Sequence, residues 1–311
     1  MRLPYVCVPL VIALGLGGLV ASCDMGKFTV DTTSKVLARA QPSLQQESDY
    51  ELARQALPGA LKTIEGFWII DPENERLIRM LTEAYCQYGA AFVEDDWEAA
   101  KFENDLEAVD YHNTRSTHIF TRCLNYALKA LGPRWQKDIF GQPEAVAKLI
   151  KSASPEQRFS VMFAALALGS IINHNLTRVE LLAYVSTVQM MFERVIELDK
   201  KHPPADKAHA AMPHIALGML YASRGKAMGG DPEKAKAAFG MALKLTDNKM
   251  LLARTLMGYR VGLITNDRKF FHDQLKQVLE TPPSVWPEQR LANEIAHRKA
   301  RRYLSNEKEL F

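Results

Sequence analysis

Three groups of side chains in this 311-residue sequence have types and spacings that can do chemistry. Glu94, Asp95, Asp96 and Glu98 form a dense carboxylate run, the raw material of general acid–base catalysis. His202, His209 and His214 fall in one short stretch, and histidine is a common metal ligand. Metal binding needs converging donors, and Pro203, Pro204 and Pro213 interrupt this stretch, so no convergence follows from it. His112 and His118 read as exposed polar residues, and the carboxylates read as a solvated helix junction. The sequence carries no His-Glu-x-x-His, Gly-x-Ser-x-Gly, phosphate-binding glycine loop or Cys-x-x-Cys. The expectation is a non-enzyme with no catalytic residue, no metal and no cofactor.

The third group is aromatic. Tyr85, Tyr88 and Phe92 follow one another at steps of three and four, which places them on one face of a helix. Core packing is the simpler reading of such a stripe. The functional reading is the wall of a ligand cleft, with hydroxyls orienting a polar end. Arg224 and Lys226 suit a carboxylate or an acidic partner, arginine because its fork binds carboxylates through two hydrogen bonds. With His214, Tyr221, Gly229 and Gly230, these residues make up the candidate ligand or partner site.

Helices must position all of these groups, because no run of alternating polar and apolar residues predicts a sheet. Prolines punctuate the chain mostly where one helix should end and the next begin. Leu217-Gly218-x-x-Tyr221, followed by Ala235, Phe239 and Ala242, resembles a tetratricopeptide helix pair. Its small residues let two helices approach and its large ones fill the groove to the next pair. Leu81 to Tyr85 and Leu168-Gly169-x-x-Ile172 read as further first helices. Ala60, Ile64 and Phe67 before Pro72 read as a second helix, as do Cys123, Ala127 and Ala130; Val188, Phe192 and Val195; and Phe271, Leu275 and Val278. The predicted fold is all-α, a right-handed superhelix of about five degenerate helical hairpins plus a C-terminal helix. The connection from 224 to 230 is longer than a simple hairpin needs. Asp231 is its expected N-cap, with Pro232 at the first helical position.

Composition fits a globular chain, with 47% hydrophobic and 24% charged residues and a net charge of +3. That charge argues against the concentrated basic face a nucleic-acid partner needs. Arg298-Lys-Ala-Arg-Arg302 reads as the solvated last turns of a helix. At the N-terminus, Arg2, an apolar run from Val6 to Ala21 and Val20-Ala21-Ser22-Cys23 describe an export signal. The last four residues resemble a bacterial lipobox, which implies cleavage before Cys23 and its lipidation. The expected organisation is a signal at 1–22, a lipidated tether at 23–46 with a short helix over Lys35 to Ala40, and a helical-repeat domain at 47–311. Cys86 and Cys123 read as two small buried thiols rather than a disulfide.

The segments HIALGMLYASRGKAMGGDPEKAKAAF (214–239), RCLNYALKAL (122–131) and MMFERVIELD (190–199), in combination, resemble the TatT component family of TRAP transporters. Residues 101–117 form an acidic and aromatic insertion in that pattern. The resemblance implies a lipid-anchored, homo-oligomeric accessory protein on the periplasmic side of a bacterial membrane. It would bind the periplasmic TRAP solute-binding protein and a small hydrophobic or organic-acid ligand in a cleft or passage. A helical-repeat scaffold lipoprotein for envelope assembly is the alternative.

Overall fold

The computed structural model describes residues 25–223 and 230–311. Every regular element among them is helical. The chain runs through α1 (Met25–Ala40), α2 (Pro42–Gln45), α3 (Tyr50–Ile70), α4 (Glu75–Tyr88), α5 (Glu94–Phe102) and α6 (Leu106–Leu131). It continues through α7 (Pro133–Asp138), α8 (Pro143–Lys151), α9 (Arg158–Asn173), α10 (Val179–Leu182), α11 (Val185–Lys201) and α12 (Lys207–Tyr221). The remainder is α13 (Pro232–Leu245), α14 (Leu251–Thr265), α15 (Arg268–Glu280), α16 (Arg290–Ser305) and α17 (Glu307–Leu310). Carboxylate and amide caps start many of these helices. Asp49, Asn74, Asp105, Asp206, Asp231 and Asp267 each accept backbone N–H groups that the first helical turn cannot satisfy.

Helix packs on helix largely in chain order: α4 on α6, α6 on α9, α9 on α11, α12 on α13 and α14 on α15. The hairpin signals account for one of the closest of these contacts. Gly218 of α12 faces Phe239 of α13, and a Cβ at Gly218 would lie 2.8 Å from the ring. Phe239 is fully buried, so its ring has little room to yield. Gly218→Ala is therefore expected to cost a net ~1–2 kcal/mol, after subtracting a propensity gain of about 1 kcal/mol. Gly240→Ala, where a Cβ meets nothing within 4 Å, should gain the propensity alone. Urea midpoints of the two variants check the contrast.

Several local expectations are corrected. The second-helix pattern on α3 does not run through Ala60, which is exposed; the buried stripe is Ala53, Leu57, Leu61 and Ile64. Pro58 and Pro213 lie inside α3 and α12 rather than at their ends. A helical proline frees the carbonyl four residues back. At Pro213 that carbonyl belongs to His209, and the buried Arg158 donates to it at 2.7 Å. The insertion at 101–117 is mostly helix, a forward extension of α6 capped by Asp105. The short helix expected at Lys35 to Ala40 reaches back to Met25, and its Val30 and Ser34 are buried. Cys86 of α4 and Cys123 of α6 form a disulfide, with Cα atoms 5.4 Å apart.

Candidate functional site

Two clefts lie near the predicted residues. The smaller and less open one lies between α3 and α6, with a volume of about 250 Å³. Trp68, Arg122, Asn125, Tyr126 and Lys129 line it. Arg122, Tyr126 and Lys129 stand four and three residues apart, so α6 presents them on one face. Tyr85 of α4 lies beneath, stacked on Tyr126 with ring centroids 5.8 Å apart, and Trp68 meets Tyr126 edge-on at 5.3 Å.

Glu65 organises the floor. Its Oε1 accepts from the hydroxyls of Tyr85 at 3.0 Å and Tyr126 at 2.9 Å, and from Arg122 Nη1 at 3.2 Å. Lys62 pairs with its other oxygen. Burial raises the Glu65 carboxyl, but hydrogen bonds from Lys62, Tyr126 and Tyr85 outweigh it and hold the group below its usual range. Burial, with Glu65 alongside, raises both phenols, so each stays protonated and donates. Arg122 makes its three described hydrogen bonds through Nη1, and its side chain is half exposed. Lys129 Nζ sits 5.7 Å from the centre of the Trp68 ring. Two cations thus flank a flat aromatic surface, Arg122 paired with the partly buried Glu65 and Lys129 at 3.5 Å from the exposed Glu73. Guanidinium, ammonium and aromatic faces are the groups that can accept a carboxylate attached to an apolar or planar group.

Tyr88 and Phe92 do not share this wall with Tyr85. Gly89–Val93 form a π-helical turn between α4 and α5, which takes Phe92 out of the 3.6-residue register of α4, while Tyr88 precedes the turn and packs toward Phe92 and Arg115 rather than Tyr126. Tyr88 and Phe92 touch each other at 5.9 Å, and Phe92 touches Tyr50 at 5.1 Å. The Tyr88 hydroxyl accepts from Arg115. Tyr85, Tyr88 and Phe92 are all buried. His214 and Tyr221 are half-buried on α12. Burial lowers the His214 imidazole, and Lys234 lies 5.8 Å from the Tyr221 ring. Gly230 precedes the Asp231 cap, while Arg224, Lys226, Gly229 and the lipidation candidate Cys23 lie outside the described residues.

The acidic run proves to be a buried junction rather than a solvated one. Asp95, fully buried, takes Arg298 Nε at 2.7 Å and Arg302 Nη2 at 2.9 Å. Arg302 Nη1 also lies 2.9 Å from Asp95 Oδ1, a close ion pair without hydrogen-bond alignment. Glu98 takes Lys299 and Arg302, each at 2.8 Å, and the buried Tyr303 hydroxyl at 2.6 Å. Asp96 binds Arg54 through both oxygens. Glu94 lies 3.1 Å from Nε2 of the buried His174, whose Nδ1 meets Asn113 at 2.9 Å. The basic stretch at 298–302, expected to be solvated, therefore clasps α16 onto α5, with Lys299 itself buried. The second cleft, about 470 Å³, flanks this clasp and mixes Asp49, Glu51 and Glu294 with Arg298 and Arg301.

The histidines of the 202–214 stretch do not converge. His209 Nε2 faces Glu83 at 3.2 Å, and its Nδ1 faces Asp206 at 3.7 Å. Burial lowers the His209 imidazole, but Glu83 outweighs burial and raises it. Among the described residues no cluster of three or more histidine, cysteine or carboxylate groups is placed to hold a metal. Sequence reasoning missed Glu65, Trp68, Arg122, Tyr126 and Lys129. Only the cationic and aromatic spacing on α6 signals them, and in the sequence it reads as repeat packing.

Comparison with known proteins identifies the family. The profile described as TRAP transporter T-component matches residues 46–311. An uncharacterized protein of Treponema pallidum (strain Nichols) is 23% identical over 274 residues, covering 82% of this chain and 78% of the relative.

Proposed function

From the premise that the chain belongs to the TRAP transporter T-component family, and is thus an accessory component of that transport system, we propose its role in detail. It is a lipid-anchored, periplasmic-side protein that docks the solute receptor, and its α3–α6 groove takes a carboxylate. The family match over 46–311 carries this reading. The groove supports it chemically, since Arg122 and Lys129 flank Trp68 and Tyr126. The carboxylate belongs either to a small organic acid or to an acidic side chain of the receptor.

Packing favours a second reading within the same system. Tyr85 and Tyr88 sit solidly in the core and do not line an enclosed apolar cavity. A scaffold that docks the receptor without carrying solute fits that packing. Native mass spectrometry of the extracted lipoprotein, alone and with receptor, separates the two. A co-purifying organic acid supports solute handling, whereas a mass gain only with receptor supports the scaffold. Binding of neither removes the detailed role and leaves family membership intact.

The groove itself is tested by Arg122→Ala and Lys129→Ala. Each removes a charge-assisted contact and is expected to weaken carboxylate or receptor binding about 10- to 100-fold. Glu65 keeps Tyr85, Tyr126 and Lys62 as partners in the Arg122 variant, so circular dichroism should not change. Unaltered affinity in both variants, measured by calorimetry, would remove the groove from the function.

A further inference from the structure

We propose that α1 is a membrane-surface helix that seats the body of the protein directly on the lipid bilayer. The inference rests on the lipid-anchor reading of Cys23 and goes beyond it, because a tether would let the body stand away from the membrane.

The helix has two unlike faces. Val30 and Ser34 are buried against the body. Arg76 of α4 fixes that side, donating to Ser34 Oγ at 2.7 Å and to Asp31 Oδ1 at 3.1 Å. The opposite face carries Met25, Phe28 and Val36, which are 72%, 66% and 63% exposed. At 100° per residue these three fall within one sector of the helix, away from Val30 and Ser34. Exposed Thr32 and Arg39 also fall within the sector and Lys35, paired with Asp31, borders it; the long basic side chains can reach up to an anionic headgroup layer.

Chain geometry selects the occupant. Cys23 precedes Met25 by two residues, and two residues of extended chain span at most about 7 Å. Acyl chains on Cys23 therefore hold the start of α1 at the headgroup level. There, an apolar helix face buries by roughly 5–10 Å. Because Arg76 ties α1 to α4, a seated helix orients the whole body, which a flexible linker over 24–46 could not do.

The test uses the full chain, made in a bacterium with its own signal, and vesicles of phosphatidylethanolamine and phosphatidylglycerol. An environment-sensitive fluorophore is attached at Phe28→Cys or, as control, at Lys62→Cys on α3, where the native side chain is 67% exposed. Flotation of the vesicles reports the anchor, and quenching by brominated acyl chains reports depth. The expected result is flotation of both proteins, with emission cut about twofold or more at position 28 and unchanged at 62, as an interfacial helix requires. Equal emission with and without brominated lipid at position 28, on protein that floats, overturns the seated helix and spares the anchor. Failure to float overturns the anchor reading and this proposal together.

Discussion

Asp95→Asn is expected to destabilise the folded chain by about 3 kcal/mol, the low end for breaking a buried ion pair. The substitution keeps the size and removes the charge that Arg298, Lys299 and Arg302 surround. In the native chain Asp95 and Glu98 together compensate the desolvation of these cations, and the substitution leaves Glu98 to do so alone. Two features moderate the loss. Arg298 is 42% exposed and can rehydrate, and Glu98 still binds Lys299 and Arg302. The clasp joins elements some two hundred positions apart in the sequence, so the structural signature of its loss should be local to the closure. Urea unfolding gives the energy, and limited proteolysis of α16 reports the opening. Unchanged resistance of α16 to protease would show that apolar packing of Ala296, Ala300 and Tyr303 holds it without the clasp.

The same cluster fixes a pH dependence. Burial raises both carboxyls, yet the positive charge of Lys299 and hydrogen bonds from its neighbours outweigh it, so both sit below their ordinary values of 3.8 for Asp95 and 4.5 for Glu98. A depressed folded value means the unfolded chain takes up protons first. The contribution is therefore complete above those ordinary values and is lost as pH falls through them toward the depressed ones. Urea midpoints of the native chain should drop between neutral pH and about pH 3, and Asp95→Asn should flatten part of that slope.

Opening the Cys86–Cys123 disulfide is the second large effect. The bridge joins α4 to α6 across a sequence separation of 37. Closing a loop of that length removes unfolded-state entropy worth about 4 kcal/mol. The paired replacement Cys86→Ala and Cys123→Ala is expected to lose about 2–5 kcal/mol, and reductant should do the same to the native chain. Alanine is the better probe here, since both positions are buried and serine would bring in two hydroxyl groups. Equal unfolding midpoints with and without reductant would show that helix packing alone supplies this stability. The bridge also fits an oxidising compartment, consistent with an exported chain.

The helices and their pairings are largely legible because they depend on local rules. Asp231, Pro232, Gly218 and Phe239 each act within a few turns, through capping and close approach. The site is less legible. Tyr85 lies beneath the groove, whereas Tyr88 and Phe92 pack on each other away from it. The π-turn at Gly89–Val93 has no simple sequence mark, and it moves every later side chain to a new direction. A run such as Glu94 to Glu98 looks solvated when only its neighbours in sequence are considered. Its fate depends on Arg54, on His174 and on Arg298, Lys299 and Arg302, which arrive from three other segments.

The sequence by itself determined the all-α class, the main hairpin seams, the Asp231 cap and the family, all properties carried by periodicity and short motifs. Tertiary structure alone decided that Cys86 meets Cys123, that the acidic and basic runs cancel each other inside the fold, and that α6 sets Arg122 against Tyr85 and Lys129 against Trp68. The physical reason is the same in each case. Hydrophobic period and capping act along one helix, whereas charge pairing, disulfide geometry and groove formation depend on vectors between helices that no spacing in the chain encodes.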